Sequence, residues 1–149
     1  MFNGASAFNQ PIDSWDTSSV TNMGNMFSNA TDFDKPLNSW DTALVSRMVA
    51  MFYNAQAFNQ NIGSWDTSIV TNMSYMFDGA SVFNNDGSPN IGDWDVSSVI
   101  DMSFMFQNAQ AFNQNISNWV VSAVTENNFY NFRGGGSALT QANTPPAFR

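Results

Sequence analysis

Four aspartates, Asp16, Asp41, Asp66 and Asp95, each follow a tryptophan, and their recurrence is the first feature of this sequence that suggests chemistry. If the segments bearing them stack, neighbouring carboxylates come within about 5 Å and repel unless something answers their charge. A calcium column would answer it, because hard cations take several oxygen ligands. A turn would answer it too, with each Asp accepting from backbone N–H groups of the Thr-Ser-Ser that follows Asp16 and its variants elsewhere. The Asp-Thr-Ser context and the lack of an Asp-x-Asp-Gly loop favour the turn, so no metal and no other cofactor is expected. Closer pairs, Asp13 with Asp16 and Asp93 with Asp95, invite comparison with the two carboxylates of a glycosidase. They recur or stand on turns, however, and make no unique site. With neither His nor Cys in the chain, an imidazole base, a thiolate nucleophile and a Cys/His metal site are all excluded. The chain is expected not to be an enzyme.

Other residues recur at the same interval. Trp15, Trp40, Trp65, Trp94 and Trp119 lie 25, 25, 29 and 25 residues apart. Such a period marks a stack of repeats. Phe27, Phe52, Phe77 and Phe106 keep step with them. Exposed aromatic rows bind sugar rings, but the apolar segment beside them needs a surface to pack on, which assigns both columns to a core. The Met residues near each Phe read as core filling. Asn9, Asp34, Asn59, Asn84 and Asn113 form a further column, expected to satisfy loop backbone groups that no ladder reaches. Thr17, Thr42 and Thr67 make a short row of the kind that suits ice, ended by Val96 and Val121.

Two kinds of element are expected to hold these columns. Met23, Met26, Phe27, Ala30 and Phe33 follow the spacing of one helix face, with Thr21, Ser46, Thr71 and Thr125 as candidate N-caps. Ile12 to Asp16 and its equivalents read as a short strand followed by a turn, and stacking would pair these strands in parallel. The extra residues of the 29-residue spacing, Asn84 to Asn90, predict a bulge at one corner, given Asp86-Gly87 and Ser88-Pro89. Past Trp119 the pattern loosens, with Asn127 and Tyr130 where Met is expected. Residues 1–133 are taken as the repeat unit, with an incomplete first coil and a degenerate cap, and 134–149 as a Gly-rich turn and extended tail.

A net charge of −8, with only Lys35, Arg47, Arg133 and Arg149 as cations, disfavours nucleic acid and anionic membranes. No apolar run approaches the roughly 18 residues of a membrane span. No signal peptide is legible at Met1-Phe2-Asn3.

The string Phe-Asn-Gln-x-Ile-x-x-Trp-Asp-Thr-Ser-x-Val-Thr-Asn-Met-x-x-Met-Phe-x-x-Ala resembles the bacterial surface-protein repeat of 25–26 residues, the DUF285 or BspA-like group related to leucine-rich repeats. The likeness covers roughly residues 1–133, and Gly136 to Pro145 is similar to endings in that group. The sequence departs from it at Ala43-Leu44 and at Val120-Val121. The resemblance implies an extracellular or cell-surface location and a role in adhesion or partner binding, with no reaction. Together these readings predict an α/β fold: a right-handed leucine-rich-repeat-like solenoid of about five coils, with short parallel strands and short helices. The expected function is adhesion to a protein or glycan on a host or neighbouring cell. End-to-end self-assembly through the incomplete first coil, and carbohydrate or ice binding, are the alternatives. A partner would read the variable positions Asp13, Asn38, Gly63, Gly92 and Ser117.

Overall fold

The computed structural model describes all 149 residues, and its backbone is built from turns. The expected α/β architecture is absent. No strand forms, only isolated parallel bridges joining Asn22 to Arg47, Arg47 to Asn72 and Asn72 to Asp101. The helical elements are four 3₁₀ turns: η1, Asn85–Gly87; η2, Pro89–Asp93; η3, Glu126–Phe129; and η4, Pro146–Phe148.

The second repeat shows why. Its chain closes one i to i+3 turn after another: Trp15 N–H donates to Ile12 (3.1 Å), Val20 to Thr17 (2.9 Å), Met26 to Met23 (3.2 Å), Ala30 to Phe27 (3.0 Å) and Phe33 to Ala30 (3.2 Å). Between Met23 and Ala30 alternate amides leave the turn. Met23, Asn25, Phe27 and Asn29 donate instead to Arg47, Val49, Met51 and Tyr53 of the next repeat, at 2.7–3.0 Å. Asn25 and Asn29 have φ of 57° and 58°. A left-handed residue every fourth position is incompatible with a helix, which holds φ near −63° throughout, and with extended strand.

The apolar spacing has the same cause. Ile12 and Trp15, Met23 and Met26, Phe27 and Ala30, Ala30 and Phe33 are the first and last residues of these turns. Turn ends share a side, so a run of i, i+3 turns gives the spacing of an amphipathic helix without being one. The expected strand from Ile12 to Asp16 is likewise a turn, which brings Ile and Trp to the same interior. Three of the candidate caps have no helix to cap: Ser46 Oγ donates to the Thr21 carbonyl (3.2 Å) and Thr71 Oγ1 to that of Ser46 (3.2 Å). Thr125 does precede η3, but its side chain makes no capping bond.

The core is two files of phenylalanine flanked by tryptophan and methionine. Within a repeat the rings stack face to face, Phe27 on Phe33 at 4.2 Å and Phe77 on Phe83 at 4.1 Å. Between repeats Phe27, Phe52, Phe77 and Phe106 follow at 5.5–5.7 Å. All are fully buried. Each stacked pair adds about 0.5–1.5 kcal/mol beyond the area it buries.

Two corners take extra residues. The Asn84 to Asn90 insertion forms η1 and the start of η2, pinned by Asn85, whose Oδ1 accepts from Ile62 N–H (2.9 Å) and whose amide donates to the Ser88 carbonyl and to Asn90. In the last repeat η3 absorbs two residues. Met102, Phe104 and Phe106 N–H donate to Asn128, Tyr130 and Phe132. Phe129 therefore takes the place of Met102, Phe132 that of Met105, and left-handed Asn131 that of Phe104. Asn127 and Tyr130, which fall where an unshifted repeat would place Met, are exposed as a result of that shift. From Gly134 the chain folds across the last repeat, burying Leu139, Thr144 and Phe148.

Candidate functional site

The aspartates behind tryptophan close turns. Asp16 Oδ1 accepts from Ser18 N–H (3.0 Å) and Ser18 Oγ (2.6 Å), and the same pair of bonds recurs from Ser68 to Asp66 and from Ser97 to Asp95. Asp41, where Ala43 replaces the serine, keeps only the backbone bond. The serine hydroxyl, then its backbone N–H, lower the pKa of Asp16, Asp66 and Asp95. No three acidic side chains converge on one point. A second turn column was missed by sequence reasoning: Asn22, Asn72 and Asp101 accept from the amides of Gly24, Ser74 and Ser103.

The amide column is continuous. Asn9 Oδ1 accepts from Asp34 N–H (3.0 Å), Asp34 from Asn59 (3.0 Å), Asn59 from Asn84 (2.7 Å), Asn84 from Asn113 (3.2 Å), and Asn113 from Thr140 in the tail (3.0 Å). Tryptophan does similar work from the core. The indole N–H of Trp40, Trp65, Trp94 and Trp119 donates to the carbonyl of Ile12, Leu37, Ile62 and Ile91, one repeat back, at 3.0–3.3 Å. These four rings are 4–5% exposed, whereas Trp15 is 45% exposed. Thr17, Thr42 and Thr67 are buried and donate to the carbonyls of Asp41, Asp66 and Asp95, so they present no hydroxyl row.

The five variable positions do not form one open surface. Asp13 accepts from the backbone and hydroxyl of Ser39, and Ser117 Oγ donates to Asn115. A Cβ on Gly63 would fall 1.9 Å from Asn90 Oδ1, and one on Gly92 would fall 2.5 Å from the Asn115 carbonyl. Among the five, Asn38 is exposed.

Two outward features are left. One is a corner where Leu44 and Ile69, equivalent in successive repeats, are 53% and 44% exposed, with Ile100 nearby in sequence position and 52% exposed. The other lies on the last repeat, where clefts of about 440 and 270 Å³ both include Phe129 and Asn131. Neither was legible beforehand, because each sits where the sequence departs from its own repeat.

A family model described as "Mycoplasma protein of unknown function, DUF285" matches residues 1–89 and 64–141. The chain belongs to this family. Comparison with curated proteins and with solved structures found no match in either. For a DUF285 chain, then, the repeating residues have visible structural duties, and the family carries no assigned activity. No helix is long and apolar enough to cross a membrane.

Proposed function

We propose that the chain is a non-enzymatic, surface-displayed binding module that adheres to a protein partner through the corner bearing Leu44, Ile69 and Ile100. One observation supports this reading most. Residues that recur between repeats are buried or bonded to the next repeat, while these large apolar side chains stand exposed at positions where other repeats have Ser or Thr. The stack does not need them, and grouped exposed apolar residues mark interaction surfaces. The exposed Asp41, Asp66 and Asp95 flank the corner, so the complementary partner is an apolar patch rimmed by Lys or Arg. Adhesion of cells and of purified matrix proteins to the immobilised chain tests the idea. The triple variant Leu44→Ser, Ile69→Ser, Ile100→Thr is expected to keep its melting temperature and lose at least tenfold in retention. Equal retention by the two chains removes the reading.

A second reading, self-association, has its own observation. The first repeat leaves Phe2 and Phe8, stacked at 3.8 Å, and the exposed Trp15 at an open end of the core. Nothing accepts from the Trp15 indole, whereas each later indole has a carbonyl.

A further inference from the structure

We infer that the last repeat holds a sugar-binding groove whose ligand is a hexopyranose bearing a carboxylate. The larger cleft is lined by Glu126, Asn127, Phe129, Tyr130 and Asn131. The smaller one adds Phe132, Arg133, Gly134 and Phe148. The two clefts share Phe129 and Asn131 and so lie side by side, one lined by the Glu126 carboxylate and the other by the Arg133 guanidinium.

Its aromatic wall is unlike the core. Tyr75 and Phe104 lie parallel at 4.6 Å, but Tyr130 stands at 70° to Phe104, 5.3 Å away, and is 63% exposed. The ring therefore makes no parallel stack with Phe104, the aromatic beside it in the neighbouring repeat. The polar groups of the clefts are largely unpaired. Most asparagines elsewhere bind a turn or a neighbouring repeat. The side chains of Glu126, Asn127 and Arg133 have no partner within the protein, and Asn131, its amide held by Gln107 Oε1 at 2.8 Å, keeps its own oxygen to accept.

The mixture selects the ligand. Carboxylate and aromatic ring alone would suit a cation, but Arg133 in the adjoining cleft opposes one. The carbonyls of Asn128, Tyr130, Phe132 and Gly134 already accept from the fifth repeat. An added peptide strand would therefore find backbone donors here but no free acceptors, and could make only half of its ladder. Donors and acceptors alternating around an exposed ring fit a polyhydroxylated ring instead, its C–H face on Tyr130 and its hydroxyls on Glu126, Asn127 and Asn131. The planar fork of Arg133 matches a carboxylate.

This goes beyond the adhesive corner and stands without it: the Leu44, Ile69, Ile100 triple variant is expected to bind sugar unchanged, so loss of adhesion and loss of sugar binding are read separately. The test is saturation-transfer NMR and calorimetry on the full chain with methyl glucuronide and methyl glucoside. The glucuronide is expected to bind at least tenfold tighter. Tyr130→Ala, at an exposed site, should weaken both sugars tenfold or more, and Arg133→Gln should erase the preference for the acid while preserving the melting temperature. Should Arg133→Gln not fold, Arg133→Lys, which keeps the charge and loses the fork, is expected to narrow the preference. Equal binding of the two sugars, no binding of either, Tyr130→Ala binding like wild type, or displacement of the sugar by a lysine-rich peptide would each overturn the inference.

Discussion

Asp78 stands where other repeats place Ser28, Tyr53 or Gln107, and it is buried. Burial raises its pKa, and the amide of Asn108, donating at 3.3 Å, opposes the rise only in part. The folded chain thus holds this proton more tightly than the unfolded one. Its contribution to stability is fully present below the unfolded pKa and is lost as pH rises through the folded value. Asp78→Asn keeps an acceptor for Asn108 and removes the charge. It is expected to raise the melting temperature at pH 7 by about 2–4 °C, for a gain of about 1 kcal/mol. At pH 3 the gain should vanish, and melting followed by circular dichroism at both pH values checks this. The serine-bonded carboxylates behave oppositely: with pKa lowered, the stability they add is present above the unfolded value and is lost as pH falls through the folded one.

At the scale of the repeat, the left-handed positions decide the backbone. Asn29, Asn54 and Asn108 alternate with Gly4 and Gly79 in one such column, and Asn and Gly accept positive φ at little cost. That alternation was a readable signal. The other column holds Asn25, Ala50, Tyr75 and Phe104 with φ of 51–60°, and nothing in those residue types announces it. The repeat length, the buried columns and the corner insertion were legible because turn ends and helix faces share a spacing of three. The element type was not, since that spacing cannot tell a helix from a run of i, i+3 turns. Ala50 exposes the strain most simply, having no ring to stack. Ala50→Gly is expected to stabilise by about 1 kcal/mol, the scale of the left-handed penalty for a residue with a Cβ, less some added chain entropy. A higher urea midpoint with an unchanged slope would show it, and a lower one would count against strain there.

The first and last repeats of this chain are unlike. Leu139 and Phe148 close one end, while Phe2, Phe8 and Trp15 leave the other apolar and open. One adhesive end allows a twofold pair and no filament, because a chain of subunits needs two complementary ends. Light scattering over a concentration series is therefore expected to pass from monomer to dimer and stop there, with Trp15→Gln staying monomeric. Larger species, or a Trp15→Gln chain that still dimerises, would defeat this account.

The bonds between repeats have a mechanical meaning. A pull on both termini loads the hydrogen bonds between neighbouring repeats in sequence rather than all together. In this chain the first repeat is joined to the second by fewer backbone bonds than join the second to the third, among them Phe2 to Met26 and Gly4 to Ser28, so it should peel away first. Each peeled repeat of 25 residues frees roughly 80 Å of chain at about 3.4 Å per residue. Force spectroscopy should record a staircase of such lengths. A bound molecule under tension would thus act as an extensible tether, lengthening from its open end while the groove at the closed end keeps its shape.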